Sequence, residues 1–336
     1  MAKIAFFELG SFFEHAEEEK NYIKDHLRGH SIGFFEKPLE EVSSDAEILA
    51  VFIYSKINAK LLDKYPKTKL ITTMSTGFDH IDLEECKRRK IIVCNVPAYG
   101  SSTVAEHAMG LVLAFAKNLV PAIERTRTGD FSIKGLQGFD LKDKTIGIIG
   151  TGKIGKNMAK FSSAFGMRVI AYDPYPDKEW ARQLSVSYVS FDELLEESDV
   201  ISIHVPENPS THHLINMQNI TKIKRGCILI NTARGGIVET QAILKGLTDN
   251  ILAGAGLDVL EEECSIKEEK ELLHKMFERK CDLKTLLAEH MLLQNKKVII
   301  TPHSAFYTKE ALRSILDTTI DNIAGFISGV PKNKVN

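Results

Sequence analysis

Short apolar runs recur along this chain, each followed by residues at helical spacing. They are Ile4–Leu9, Ile48–Tyr54, Leu70–Thr73, Ile91–Val93, Thr145–Ile149, Val169–Tyr172, Val200–His204, Cys227–Ile230, Ala253–Leu257 and Val298–Ile300. Strand signals that alternate with helix signals point to parallel sheets with helical crossovers, an α/β fold. At roughly 150 residues per domain, the 336 residues make about two such units. A hydrophobic fraction of 43% and a charged fraction of 26% are ordinary globular usage, which removes collagen-like, coiled-coil and disordered readings. No repeat or low-complexity tract interrupts the pattern.

The first half reads strand, helix, strand, helix to about Pro97. A longer helix then opens near Ser101 or Ser102, where Ser102 and Glu106 have the look of a capping pair. A second α/β unit runs from Lys144 to about Thr301. The last helix, Lys309–Ser328, follows that unit, so the chain returns at its end to the opening domain. Two doubly wound Rossmann-like domains are expected, a discontinuous one at 1–100 plus 303–336 and a second at 101–302. Residues 261–297 break the alternation with charge-rich sequence and read as two short amphipathic surface helices.

Lys and Arg total 43 against 45 acidic residues, a net charge of −2 that gives no reason to expect nucleic acid or an anionic membrane as partner. Small molecules are the expected ligands. Cys86, Cys94, Cys227, Cys264 and Cys281 form no CxxC pair and suit unpaired thiols in the cytoplasm. No leader or membrane anchor is expected, because the apolar start turns acidic at once and no run approaches the ~18 residues of a span. His26 and His30 have ligand spacing on a helix, but nothing completes a metal site, and none is expected.

The most informative segment is Lys144–Gly155, where Gly150, Gly152 and Gly155 stand in GxGxxG spacing between a strand and a helix. Gly150 permits a tight turn, Gly152 clears space for a pyrophosphate, and Gly155 lets helix approach strand. The next strand ends in Asp173, near the ~20-residue distance at which an acid reaches the ribose hydroxyls. Strand, glycines, helix, strand and acid together predict a dinucleotide site. NAD is expected over NADP, since Asp173 repels a 2′-phosphate and Pro174-Tyr175 offers no arginine to receive one.

Three further strands end in groups able to act on a carbonyl. Cys227–Asn231 runs toward Arg234, Gly254–Asp258 toward Glu261, Glu262 and Glu263, and Val298–Thr301 toward His303. A guanidinium can grip a carboxylate with two bonds, and an imidazole steadied by an acid can protonate the oxygen formed when hydride reaches a ketone. Taken singly, each has a plainer reading: Arg234 as a surface ion pair, the glutamates as a solvated run, His303 as a turn residue. The chemistry alone does not choose among the three acids.

Set in order along the chain, Ser75–Asp82, Asn95–Tyr99, Val104–His107, Gly150–Gly155, His204-Val205-Pro206, Asn231–Gly235, Leu257–Val259 and Thr301–Tyr307 resemble the D-isomer-specific 2-hydroxyacid dehydrogenases over nearly the full length. Ala98-Tyr99 and the ProHisSerAlaPheTyr segment resemble their D-lactate dehydrogenase branch. The resemblance implies an NAD-dependent reduction of pyruvate to D-lactate, with Arg234, Glu263 and His303 as catalytic trio. It selects Glu263 from the three acids as the partner of His303. It puts the Thr76 and Gly77 amides at the substrate carboxylate, and Tyr54, Tyr99 and Phe306 around the substrate side chain. On the cofactor side it adds Lys153, Ile154, His204, Val205, Pro206, Thr232, Ala233 and Arg234, with Asp258 near the nicotinamide carboxamide. It also implies a homodimer through the NAD domain, with Val120–Leu141 as the arm. The segment from Glu263 to His303 is longer than is usual in that branch. His80 and His107 are read as structural. Glyoxylate, hydroxypyruvate or a bulkier keto acid remain rival substrates, and a non-catalytic NAD-sensing protein is the rival of another class.

The first test concerns Asp173. Asp173→Ala should weaken NADH binding about tenfold, the worth of a lost charged hydrogen bond, and narrow the preference over NADPH. Fluorescence titration with both nucleotides checks it, and unchanged affinities for both would refute the assignment.

Overall fold

The computed structural model describes every residue except Phe12, Glu14, His15, Pro38, Tyr54, Ala98 and residues 262–282. The described residues form two compact units, one of Met1–Tyr99 with Tyr307–Asn336 and one of Gly100–Phe306. His303–Phe306, expected with the first unit, group with the second, because the Ser304 and Ala305 amides are held by the Asp258 carboxylate there.

In the first unit β1 (Lys3–Phe7), α1 (Ala16–His26), β2 (Ser31–Phe35), β3 (Ile48–Val51), α2 (Ala59–Leu62), β4 (Leu70–Thr73), α3 (Leu83–Arg88) and β5 (Ile92–Cys94) build a five-stranded parallel sheet of order β2-β1-β3-β4-β5. This is the flavodoxin-like variant of the doubly wound plan rather than the dinucleotide-binding order. β3 and β4 are buried at every residue, as strands covered on both faces must be; β3 is accordingly apolar throughout, while β4 ends on the buried threonines Thr72 and Thr73.

The second unit contains α4 (Ser101–Ala116), α5 (Leu119–Arg127), β6 (Thr145–Ile149), α6 (Lys153–Ala164), β7 (Arg168–Tyr172), α7 (Lys178–Gln183), β8 (Ser187–Tyr188), α8 (Phe191–Glu197), β9 (Val200–Ile203), β10 (Cys227–Asn231), α9 (Thr240–Thr248), β11 (Leu252–Leu257), α10 (Leu283–Leu293) and β12 (Val298–Ile300). Its seven parallel strands run β12-β11-β10-β9-β6-β7-β8, the Rossmann order extended by one strand. The chain reverses direction across the sheet between β6 and β9, which makes their carboxyl ends a switch point. Ile149, Ile203, Leu229, Leu252 and Leu257 belong to the core on one face, and Ile148, Met158, Val169 and Ile230 to that on the other.

The strands absent from the sequence reading, β2 and β8, both lie at sheet edges, where less burial is required and no long apolar run forms. The expected cap at Ser102 is corrected. Gly100 occupies the N-cap of α4 without a side-chain bond, while the Ser102 hydroxyl donates to Glu106 at 2.7 Å inside the first turn. Of the two helices expected in 261–297, the second is α10 and the first falls outside the described residues. Cys86, Cys94 and Cys227 are buried free thiols, and burial pushes the first two up to about 11. Cys264 and Cys281 lie outside the described residues. Among the described residues no helix is long and apolar enough to cross a membrane.

The last helix, α11 (Lys309–Ile327), returns to the first unit with Thr308 as its N-cap and packs on β4. Fully buried Asn322 fixes it: its amide donates to Thr72 Oγ1 at 3.2 Å and to the Asn95 carbonyl at 2.9 Å, and its oxygen accepts from Asn333 at 2.8 Å. Asn322→Ala should therefore destabilise this unit by about 2–3 kcal/mol, since it leaves buried polar groups unsatisfied. Urea denaturation measures the loss, and a change below about 0.5 kcal/mol would contradict the anchoring role.

Candidate active site

Strand register supplies the frame. Tyr172, Ile149, Ile203, Asn231, Leu257 and Ile300 are aligned in one row across β7, β6, β9, β10, β11 and β12. The next residue in each strand's direction is Asp173, Gly150, His204, Thr232, Asp258 or Thr301. Six of the chain's chemically suggestive residues thus leave the sheet along one edge, where open α/β sheets bind ligands.

At the switch point the glycines have distinct physical reasons. Gly150 has φ of +92°, and a Cβ there would lie 2.7 Å from Val205 Cγ1 and 2.9 Å from the His204 carbonyl carbon. A Cβ at Gly155 would fall 2.0 Å from the Gly150 oxygen, so α6 and β6 meet only without side chains. At Gly152 a Cβ would meet nothing within 4 Å. That residue caps α6 with no side-chain bond, leaving the first-turn amides of a twelve-residue helix turned toward open space. Ile154 packs on the core behind the loop, and Lys153 is exposed.

Asp173 accepts from the Thr151 amide at 2.7 Å, the Thr151 hydroxyl at 3.0 Å and the Tyr175 amide at 2.9 Å. It therefore shapes the glycine turn as well as offering a carboxylate at its rim. His204 and Thr232 follow β9 and β10, and His204 Nδ1 and Thr232 Oγ1 are buried with no partner among the described residues. Two orphaned polar atoms beside a glycine turn fit a bound dinucleotide, which would give them partners. Burial pushes the His204 imidazole down to about 3, and its Nε2 lies 2.9 Å from Ser202 Oγ. Pro206 contributes its carbonyl to the Thr211 hydroxyl at 2.6 Å, closing the loop that follows.

Beyond the same edge, Arg234 and His303 each stand three residues past the register row, on strands separated by β11. At a spacing of ~4.8 Å per strand their supporting strands are roughly 10 Å apart. Buried Asn231 builds the Arg234 turn, its oxygen accepting from the Ala233 amide at 3.0 Å and its nitrogen donating to the Arg234 carbonyl at 2.9 Å. A Cβ at Gly235 would sit 2.0 Å from the Leu260 oxygen, so this turn presses directly on the segment after β11. His303 has φ of +53°, and its amide donates to the Thr301 carbonyl at 2.9 Å.

Of the three consecutive acids, Glu261 is tied elsewhere: it accepts from the Thr240 amide and hydroxyl and meets His213 Nε2 at 2.6 Å. Glu263 and Tyr54 lie outside the described residues. Phe306 is half-buried in the second unit. In the first unit, Thr76 and Gly77 form a loop whose carbonyls are occupied, by the Asn95 amide and the Ser75 hydroxyl respectively. Tyr99 closes that unit's first segment. His80 touches Thr73 Oγ1 at 3.3 Å. The side-chain work of Asn231, Thr151 and Thr301 escapes a sequence reading. Its one signal is a polar residue at the end of an apolar strand.

Comparison with known proteins follows the same lines. The family pattern described as "D-isomer specific 2-hydroxyacid dehydrogenase, NAD binding domain" matches residues 109–305. The D-lactate dehydrogenase of Escherichia coli K12 is 35% identical over 326 residues, covering 92% of this chain and 95% of that one. The glyoxylate reductase of Thermococcus litoralis is also 35% identical, over 306 residues, with 89% and 86% covered. Among solved structures, a D-lactate dehydrogenase from Aquifex aeolicus complexed with NAD and lactic acid superimposes with a TM-score of 0.85 at 37% identity, covering 97% of this chain and 96% of that one.

His204 yields a test of pH dependence. Its folded pKa of about 3 lies below the ordinary 6.5, so the stability gained by keeping the ring neutral is complete above pH 6.5. It is lost progressively as pH falls toward 3. His204→Asn should flatten this acid limb in urea denaturation, and an unchanged slope would refute the buried neutral imidazole.

Proposed function

This chain belongs to the D-isomer specific 2-hydroxyacid dehydrogenase family, as an NAD-dependent oxidoreductase, and we propose that its reaction is the reduction of pyruvate to D-lactate. The observation that carries the reading is the pair Arg234 and His303, each three residues past one register row of β10 and β12, on the edge that also bears the glycine turn. When bound, NADH supplies the hydride that goes to the keto carbon. In this reading Gly150, Gly152, Gly155 and the α6 amides would hold its pyrophosphate and Asp173 the ribose, with His204, Val205, Pro206, Thr232 and Ala233 as further cofactor contacts.

Arg234 grips the substrate carboxylate and draws electron density from the adjacent carbonyl. The Thr76 and Gly77 amides give that carboxylate further donors. His303 delivers a proton to the oxygen as negative charge develops on it, with Glu263 as its acidic partner in this reading. The family resemblance assigns Tyr54, Tyr99 and Phe306 to the substrate side chain. Relatives bearing the D-lactate dehydrogenase name support pyruvate as substrate. An equally similar relative named glyoxylate reductase supports a second reading, in which the smaller keto acid is preferred. The active form is a homodimer, a reading supported by the Val120–Leu141 arm, in which Phe131 and Ile133 are 80% and 86% exposed.

NADH oxidation with pyruvate, glyoxylate, hydroxypyruvate, 2-ketobutyrate and phenylpyruvate tests the substrate, with chiral analysis of the product. Pyruvate should give the highest kcat/KM and D-lactate the product; a higher value for glyoxylate would install the second reading. His303→Gln should lower kcat by about 10²–10⁴-fold with NADH affinity retained, and a variant at wild-type turnover would remove the proton donor from the scheme.

A further inference from the structure

We propose that His107 is a positioning residue for proton transfer, acting through Thr301 and Asp258 to hold the turn that carries His303. The proposal rests on His303 being the proton donor. It begins with the conformation of that turn. At φ of +53° His303 occupies the left-handed region, uncommon for a residue bearing a side chain, and the turn is held there by hydrogen bonds on either side of it.

The restraint comes from Asp258, 1% exposed at the end of β11. Its Oδ1 accepts from the Ser304 amide and its Oδ2 from the Ala305 amide, both at 2.9 Å, and Oδ1 also accepts the Thr301 hydroxyl. One carboxylate therefore grips the chain on both sides of His303. Two of its bonds go to amides in fixed peptide planes, and the third goes to a hydroxyl that can rotate.

What fixes that hydroxyl is on another element. His107 projects from α4, and its Nε2 lies 3.0 Å from Thr301 Oγ1 and 3.6 Å from Asp258 Oδ1. A threonine hydroxyl has one proton, and a carboxylate only accepts, so that proton goes to Asp258. Toward His107 the same oxygen is then an acceptor, which assigns the imidazole hydrogen to Nε2. The result is a directed chain, His107 N–H to Thr301 O–H to the Asp258 carboxylate, in which each bond polarises the next. Without His107, Thr301 can turn away and Asp258 can follow, and the His303 ring loses the fixed approach that proton transfer demands.

The test uses the full-length enzyme and the keto acid selected by the substrate panel. His107→Phe keeps the bulk of the ring but cannot donate, whereas His107→Gln presents an amide N–H at similar reach. His107→Phe should lower kcat about 10- to 100-fold, with NADH affinity within about twofold and an enlarged solvent deuterium isotope effect on kcat. His107→Gln should recover most of kcat. Thr301→Val, which leaves His107 intact, should reproduce the loss, and the double variant His107→Phe/Thr301→Val should be no slower than Thr301→Val alone.

Wild-type kcat in His107→Phe, equal impairment of Phe and Gln variants, or multiplying losses in the double variant would each overturn the proposal. The parallel His303→Gln measurement separates the two levels. An inactive His303→Gln beside a fully active His107→Phe removes only the relay, while an active His303→Gln removes the scheme on which it stands.

Discussion

Parallel hydrogen bonding in the second sheet is the constraint on which the remaining geometry depends. Because β7, β6, β9, β10, β11 and β12 all run one way and share one register row, their six following residues emerge along a single edge. A slip of one residue in any strand would turn its side chains to the opposite face and take one group out of the array. Full burial of β6, β9 and β10 makes such a slip costly, since it would disturb both core layers at once. The same cores that stabilise the unit thereby determine where its polar chemistry lies.

Beyond that edge, order depends on buried polar side chains that bind backbone. Asn231 ties the Arg234 turn, Asp258 the His303 turn and Asp173 the glycine turn. Two of these motifs are themselves linked, because the Asp258 amide donates to the Asn231 carbonyl at 2.9 Å. Each residue sits where a strand stops and the ladder no longer satisfies the backbone, so the side chain replaces the missing neighbour. Turns built this way are stiff, which suits groups that must meet a reacting atom without reorganising.

How much of this could be read from the chain follows from what each signal measures. Runs rich in apolar residues report burial, and so the fully buried Leu70–Thr73 and Thr145–Ile149, with the half-buried Val298–Ile300, appear as strands with the same limits in sequence and structure. The edge strands β2 and β8 leave no such trace. GxGxxG spacing reports steric exclusion, and the atoms that would collide with a Cβ at Gly150 and Gly155 account for two of its three glycines. Hydrogen bonds over long separations leave no local pattern. His107 gives no hint of Thr301, 194 positions away, and even the four-residue step from Ser102 to Glu106 reads equally as a cap of α4. Glu261 is likewise indistinguishable from its acidic neighbours until Thr240 and His213 are seen against it.

The discontinuity of the first unit bears on how the polypeptide is born. Asn322 joins partners 250 and 227 positions earlier, and Asn336 donates to the Ile91 carbonyl while accepting from the Val93 amide. On the ribosome, the opening five strands emerge long before the helix that packs on β4 is synthesised. The whole seven-stranded unit is translated in the interval and can finish folding first. Until α11 has been made, β4 lacks the helix that packs on it, and the first unit cannot complete its fold.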